Sequence, residues 1–188
     1  YKAHLEMDNI RQAFSSAHSN KWLDEAAKNA FVIATMTKTY GPMDEGLKCL
    51  EMALEFEDIS SFWKLKLSTL LIEFYFHLYQ TNKAKSLFYG CIRDYSNVMN
   101  DEYKVRLLLL EEQFYARENN PEQSLIVAKQ TLELTKKRGL RPLYPKALQQ
   151  MAAKILYTGD WYPLLKEAIS IFKEDGNITQ LAGAWADM

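Results

Sequence analysis

Residues that reverse a chain are scarce in this sequence: it has seven glycines and five prolines among 188 residues. A β-rich or α/β domain of this size draws on more glycine than that for its turns, so the shortage points to helices joined by short connections. Cysteine is limited to Cys49 and Cys91, each inside an apolar run, with no CxxC pair and no Cys/His cluster. That pattern leaves no disulfide framework or Cys-rich zinc site. It reads as two reduced, buried thiols, which suits the cytoplasm. Excess charge is missing as well. The 23 Lys and Arg against 24 Asp and Glu give a net charge of -1, short of the cationic excess that a general binder of nucleic acid needs. No apolar run approaches the ~20 residues of a membrane span, and no signal peptide is evident.

Signatures of catalysis are equally lacking. The sequence contains no GxxxxGK[ST] phosphate loop, no HExxH and no GxSxG. Its histidines, His4, His18 and His77, stand apart from one another and from both cysteines, as surface or packed imidazoles do. Glu55, Glu57 and Asp58 cluster at the end of an apolar segment. A solvated turn explains them better than a cation site, which needs oxygens converging at fixed spacing. Trp22, Trp63, Trp161 and Trp185 lie at or near predicted helix starts within apolar patterns, and read as packing residues rather than base-stacking platforms. The expectation is a non-enzymatic chain with no cofactor, no metal, no direct nucleic-acid contact and no membrane contact.

What is present is helical periodicity, and it repeats. Helices are predicted over 4–18, 22–40, 43–57, 61–79, 83–98, 101–118, 121–138, 142–158, 160–175 and 178–188. Pro42 after Gly41 and Asn120-Pro121 mark boundaries, and Gly139 ends a Lys-Lys-Arg tail suited to the negative end of a helix dipole. In segments 28–56 and 149–172 a glycine, Gly41 or Gly159, stands where the first helix calls for a left-handed closing residue. Gly46 or Leu164 follows, then Leu50 or Ala168, then Ala53 or Ile171. Two weaker copies put Tyr79, Ala84, Phe88 and Cys91, and Asn119, Ser124, Ala128 and Thr131, in the same order. The frame positions 46, 84, 124 and 164 step by 38, 40 and 40 residues. Small residues recur where two helices must approach closely, and larger ones where the next pair docks.

This arrangement resembles a tetratricopeptide repeat with longer connections than usual. The expected fold class is all-α: a right-handed α-α superhelix, a solenoid of about four helix pairs plus flanking helices. One domain over 1–188 is expected, with repeat units at about 22–57, 61–98, 101–138 and 142–175. The start at Tyr1 and the end at Met188 inside a predicted helix lead us to expect a piece of a longer protein.

Two phrases carry a narrower resemblance. HLEMDNIRQAF (4–14) and YGPMDEGLKCLEMAL (40–54) resemble the junction into the tetratricopeptide region of STAND-type signalling ATPases, including LuxR- and AfsR-like bacterial transcriptional regulators. Glu6, Asp8, Asn9, Arg11 and Ala13 match the first phrase, E-x-D-N-L-R-A-A-L. Gly41, Glu45, Gly46, Leu50, Ala53 and Leu54 match the second, G-x-x-x-E-G-x-x-W-L-x-x-A-L. Ile10 stands in place of Leu and Cys49 in place of Trp. FKEDGNITQLAGAW (172–185) is similar to a third phrase but lacks its Gly-Asp order, and 58–145 matches only as a generic helical repeat. The resemblance implies a sensor or effector-docking region, joined in the parent to an NTPase and often to a DNA-binding domain.

In solenoids the first helix of each pair lines the concave surface. The frame puts one basic residue at an equivalent place in each first helix: Lys28, Lys66, Arg106 and Lys146. Thr35, Glu73, Gln113 and Tyr157 are neighbouring positions, with Phe31 and Phe76 nearby. Spaced cations among mixed polar groups suit an extended or helical peptide with acidic groups or a free carboxylate. The expected function is therefore a protein- or peptide-binding repeat domain of a signalling or transcription regulator. Its partners would be a protein or peptide ligand, or other domains of the parent chain. The alternative is a scaffold subunit that joins a multiprotein assembly through its convex face and open ends.

Overall fold

The computed structural model of the chain describes residues 2–157 and 159–186, and among them there is no strand. The helices are α1 (Lys2–Ser19), α2 (Leu23–Tyr40), α3 (Met43–Leu54), α4 (Ser61–His77), α5 (Thr81–Asp94), α6 (Asp101–Arg117), α7 (Pro121–Lys137), α8 (Tyr144–Lys154), α9 (Tyr162–Glu174) and α10 (Ile178–Ala186). None is long and apolar enough to cross a membrane. The chain forms two compact units, Tyr1–Met99 and Asn100–Met188.

In the first unit α2 packs against α1, α3 and α4, and α4 packs against α5. Asp24 and Glu25 occupy the first turn of α2, where carboxylates suit the positive end of the helix dipole. Ala26, Ala27, Ala30, Ile33, Ala34 and Thr37 form its buried stripe, at the spacing of one helix face. The alanines let α3 come close, and Gly46 on α3 is the tightest point. A Cβ there would collide with Thr37 Oγ1, lie 2.8 Å from Phe74 Cζ and lie 3.0 Å from the Ala34 Cα. Next, α4 starts at the cap Ser60, whose Oγ accepts from Trp63 N at 3.4 Å. Leu65, Leu67, Leu70, Leu71, Ile72, Phe74 and Phe76 bury almost its whole circumference, as befits a helix enclosed by its neighbours.

Two of the family-like phrases meet in this unit. Arg11 on α1 donates through Nε and Nη2 to Glu45 on α3 at 2.5 and 2.8 Å, and through Nη1 to Asp8 at 2.7 Å. These residues tie the leading helix to the first pair, next to the Gly46 approach. The bond from Arg11 holds the Glu45 carboxyl below its usual range.

The second unit repeats the pattern. α6 packs on α7, α8 on α7 and α9, and α10 on α9. Asn100 and Asn120 cap α6 and α7, accepting from Tyr103 N at 3.0 Å and Gln123 N at 3.3 Å. Pro121 opens α7, where no helical N–H is required of it. Leu148, Ala152, Leu165, Ala168, Ile171 and Phe172 form one core cluster, joined by Ala184 of α10.

The repeat frame is visible in burial. Gly46, Leu50, Ala53, Ala84, Phe88, Cys91, Ser124, Ala128, Thr131, Ala168 and Ile171 are all buried, while Leu164 is half-buried and its neighbour Leu165 takes the core place. The helix-closing glycine Gly41 needs correction. Gly41 is extended at φ -136, ψ -173, because the residue before a proline is pushed out of the helical region. The closing conformation at Gly159 depends on residue 158, which lies outside the described residues. At the matching frame positions Tyr79 (φ 59) and Asn119 (φ 56) adopt the left-handed turn, and Gly139 (φ 62) does so as expected. α3 stops at Leu54 rather than 57: Glu55, Glu57 and Asp58 would place like charge on the negative end of the helix. α8 is shorter than the 142–158 expected, running from Tyr144 with Pro145 in its first turn to Lys154. α5 ends at Asp94, before the expected 98.

The packing at two glycines and the Arg11–Glu45 pair each have a measurable effect on stability. Gly46→Ala should destabilise the chain by about 1–3 kcal/mol through overpacking. Gly90→Ala, inside α5 with nothing within 4 Å of the added carbon, should stabilise it by about 0.5–1 kcal/mol; denaturant titration of both variants reads the contrast. Because its folded pKa is depressed, Glu45 contributes stability that is complete above the ordinary glutamate value of about 4.3. That contribution is lost as pH falls through the depressed value. Arg11→Met should flatten that acid limb, measured as melting temperature against pH.

Candidate functional site

The two units hold the predicted basic residues separately. In the first unit Lys28 is exposed on α2, and Phe31 lies one turn further along the same face. Lys66 on α4 is half-buried, and its Nζ lies 4.3 Å from the centre of the Phe31 ring and 4.7 Å from that of Trp63. The two rings are 6.3 Å apart with planes inclined at 59°, and Phe62 meets Trp63 edge-on at 6.1 Å. An ammonium on two ring faces is held electrostatically. Two turns along α4, Glu73 forms an ion pair with Lys38 of α2. Thr35 is exposed and its hydroxyl donates to Phe31 O at 2.8 Å, while Phe76 is buried and presents no surface.

In the second unit Arg106 on α6 donates through Nε to Glu102 at 2.9 Å and lies 6.0 Å from the Tyr103 ring centre. Lys146 on α8 and Gln113 on α6 are half-buried, and Tyr157 is 94% exposed. Each unit thus brings cations and aromatic or amide groups to its first helices. Lys66 is the most tightly organised of them.

The tryptophans divide. Trp22 is 59% exposed at the start of α2 and does not pack between repeats. Trp63 and Trp161 are half-buried, and the Trp185 side chain lies outside the described residues. The His4 side chain is outside them too. His18 packs against Phe14 and Phe56, and His77 meets Phe76 edge-on. The thiol of Cys91 is buried and pushed up to about 12 by that burial, and the half-buried Cys49 thiol is raised for the same reason. Neither thiol is a nucleophile near neutral pH. Glu55, Glu57 and Asp58 are exposed, and no group of three or more His, Cys, Asp or Glu among the described residues could hold a metal ion.

Sequence reasoning missed a buried ionic group beside the candidate Gln113. Glu112 on α6 is 3% exposed; it pairs with Lys154 on α8 at 2.7 Å and accepts from Ser124 Oγ on α7 at 2.7 Å. The frame gives this position Ala34, Ile72 and Ala152 in the other pairs, and gives Lys154 the counterparts Met36, Phe74 and Phe114. The signal was legible as a glutamate and a lysine at positions otherwise apolar. Nearby, Gln150 Nε2 donates to Leu109 O at 3.0 Å, so α8 is tied to α6 twice by polar contacts.

The chain resembles the crystal structure of a Signal Transduction ATPase with Numerous Domains (STAND) protein with a tetratricopeptide repeat sensor from Pyrococcus horikoshii. The TM-score is 0.65 at 16% identity, over 98% of this chain and 31% of that one. No protein-family model and no curated protein sequence matches. The structural likeness shows the fold, an all-α helical repeat of tetratricopeptide type. This chain spans 31% of the length of that protein.

Lys154→Met should cost about 3 kcal/mol, since it leaves Glu112 charged, buried and without its cation. Glu112→Leu combined with Lys154→Met should recover most of that loss. A double-mutant cycle in denaturant checks both outcomes.

Proposed function

We propose that the chain is a protein- or peptide-binding helical-repeat domain, acting in its parent as the sensor or effector-docking part of a signalling or transcription regulator in the cytoplasm. It acts by binding rather than by catalysis. The observation that carries this reading is Lys66 on the faces of Phe31 and Trp63, with Lys28 exposed on the neighbouring helix. A cation already ordered by two rings loses less freedom when it takes a partner's carboxylate. The rings beside it offer apolar surface to the residues that flank such a group. Arg106 beside Tyr103 gives the second unit a weaker version of the same pairing. The likeness to a STAND protein with a tetratricopeptide repeat sensor supports the signalling part of the proposal.

The test is fluorescence anisotropy with a library of acidic peptides bearing free C-termini. Affinity for the best peptide should fall with added salt. It should fall about tenfold or more in the Lys66→Glu/Arg106→Glu double variant, with helix content and melting temperature kept. Unchanged affinity in that variant, or no peptide bound by the parent chain, would overturn the proposal.

A further inference from the structure

The second unit holds a cleft that none of the first-helix cations lines. α7 has 17 residues and α9 has 13. Aligned on the frame residues Ser124 and Leu164, α7 runs about one turn further. Its last turn and the Gly139 reversal therefore stand clear of α9, and a cleft of about 480 Å³ opens between them. That volume lies within the range of small-molecule sites, roughly 300–1,000 Å³.

The walls differ in sign. Lys136, on the last turn of α7, and Arg141, in the connection to α8, line one side; Glu167 and Glu174 of α9 line the other. Leu140 and Ile171 supply apolar surface between them. Tyr144 Oη donates to Glu167 Oε1 at 3.1 Å and orients that carboxylate. Arg141 is already engaged: its Nη2 donates to Glu174 at 2.8 Å and to Asp175 at 3.2 Å, closing one end of the cleft. Lys136 forms no ion pair with any described residue. One cation and one carboxylate, Lys136 and Glu167, are thus left to a ligand, on opposite walls of a partly apolar space.

A simple anion would meet the two carboxylates, and a simple cation would meet Lys136 and Arg141. A molecule carrying both charges and an apolar body satisfies both walls. We propose that this cleft binds a small zwitterion with an apolar side chain, of the amino-acid or dipeptide class. Its carboxylate sits on Lys136 and its ammonium on Glu167. The site is separate from the first-helix face, so the two proposals stand or fall independently.

Titration calorimetry on the whole chain tests it, with L-leucine, L-phenylalanine and leucyl-leucine as probes, alongside their N-acetyl and C-amide derivatives. At least one zwitterion should bind saturably. Lys136→Met and Glu167→Gln, both at exposed positions, should each weaken it about tenfold. The N-acetyl derivative should be indifferent to Glu167→Gln, and the amide to Lys136→Met. Acidic-peptide binding should be unchanged in both variants, which separates this site from the first-helix face. No saturable binding of any zwitterion up to about 10 mM, or binding that both variants leave intact, overturns the proposal. Circular dichroism confirms the fold of each variant, and Lys136→Gln replaces Lys136→Met should the latter lose helix.

Discussion

Three of the four helix pairs place one small buried residue of the second helix, Gly46, Ala84 or Ser124, where its partner comes closest. Ala34 opposite Gly46 is the extreme case, with Thr37 and Phe74 filling the space a Cβ would need. Such contact leaves no room for water between the helices, and dispersion between close-packed side chains then accumulates over the interface. It also sets which way the remaining side chains face. With the pair locked at that point, Leu50 and Ala53 fall on the buried side of α3. On α4, Lys66 comes to lie over Phe31 of α2.

The third pair solves the same problem with different chemistry. Glu112 and Ser124 take the places of Ala34 and Gly46, and a hydrogen bond replaces the close carbon contact. A buried carboxylate needs a counter-charge, and Lys154 supplies it from the next first helix. Ionic pairs of this kind add little net stability, but they are intolerant of a shifted partner. The pair therefore ties α8 to α6 in one register, where apolar side chains would tolerate sliding.

The two candidate binding features draw on different consequences of the fold. The Lys66 site arises because first helices of successive pairs are neighbours, so a residue of α4 can rest on a ring of α2. The zwitterion cleft arises from unequal helix lengths within the second unit, which leave the end of α7 without a full-length partner.

Much of the fold was legible from composition and spacing. The shortage of glycine and proline, the helical period and the 38-to-40-residue step are local properties, and they identified the helices and their pairing before any contact was known. The phrases holding Asp8, Arg11, Glu45 and Gly46 could be read as a resemblance, but their physical meaning needed the fold. The charged members form one cluster between α1 and α3, and the glycine sits where α2 and α4 come closest to α3. The candidate residues were legible as positions only: the sequence did not show that Trp63 and Phe31 converge on Lys66. The turn conformations were misplaced at Gly41, since the choice between left-handed and extended backbone there was decided by Pro42. The sequence alone determined the helical repeat, because periodicity and close-approach residues are written along the chain. Tertiary structure alone decided which charges are buried, paired or left open to a ligand, because those depend on neighbours distant in sequence.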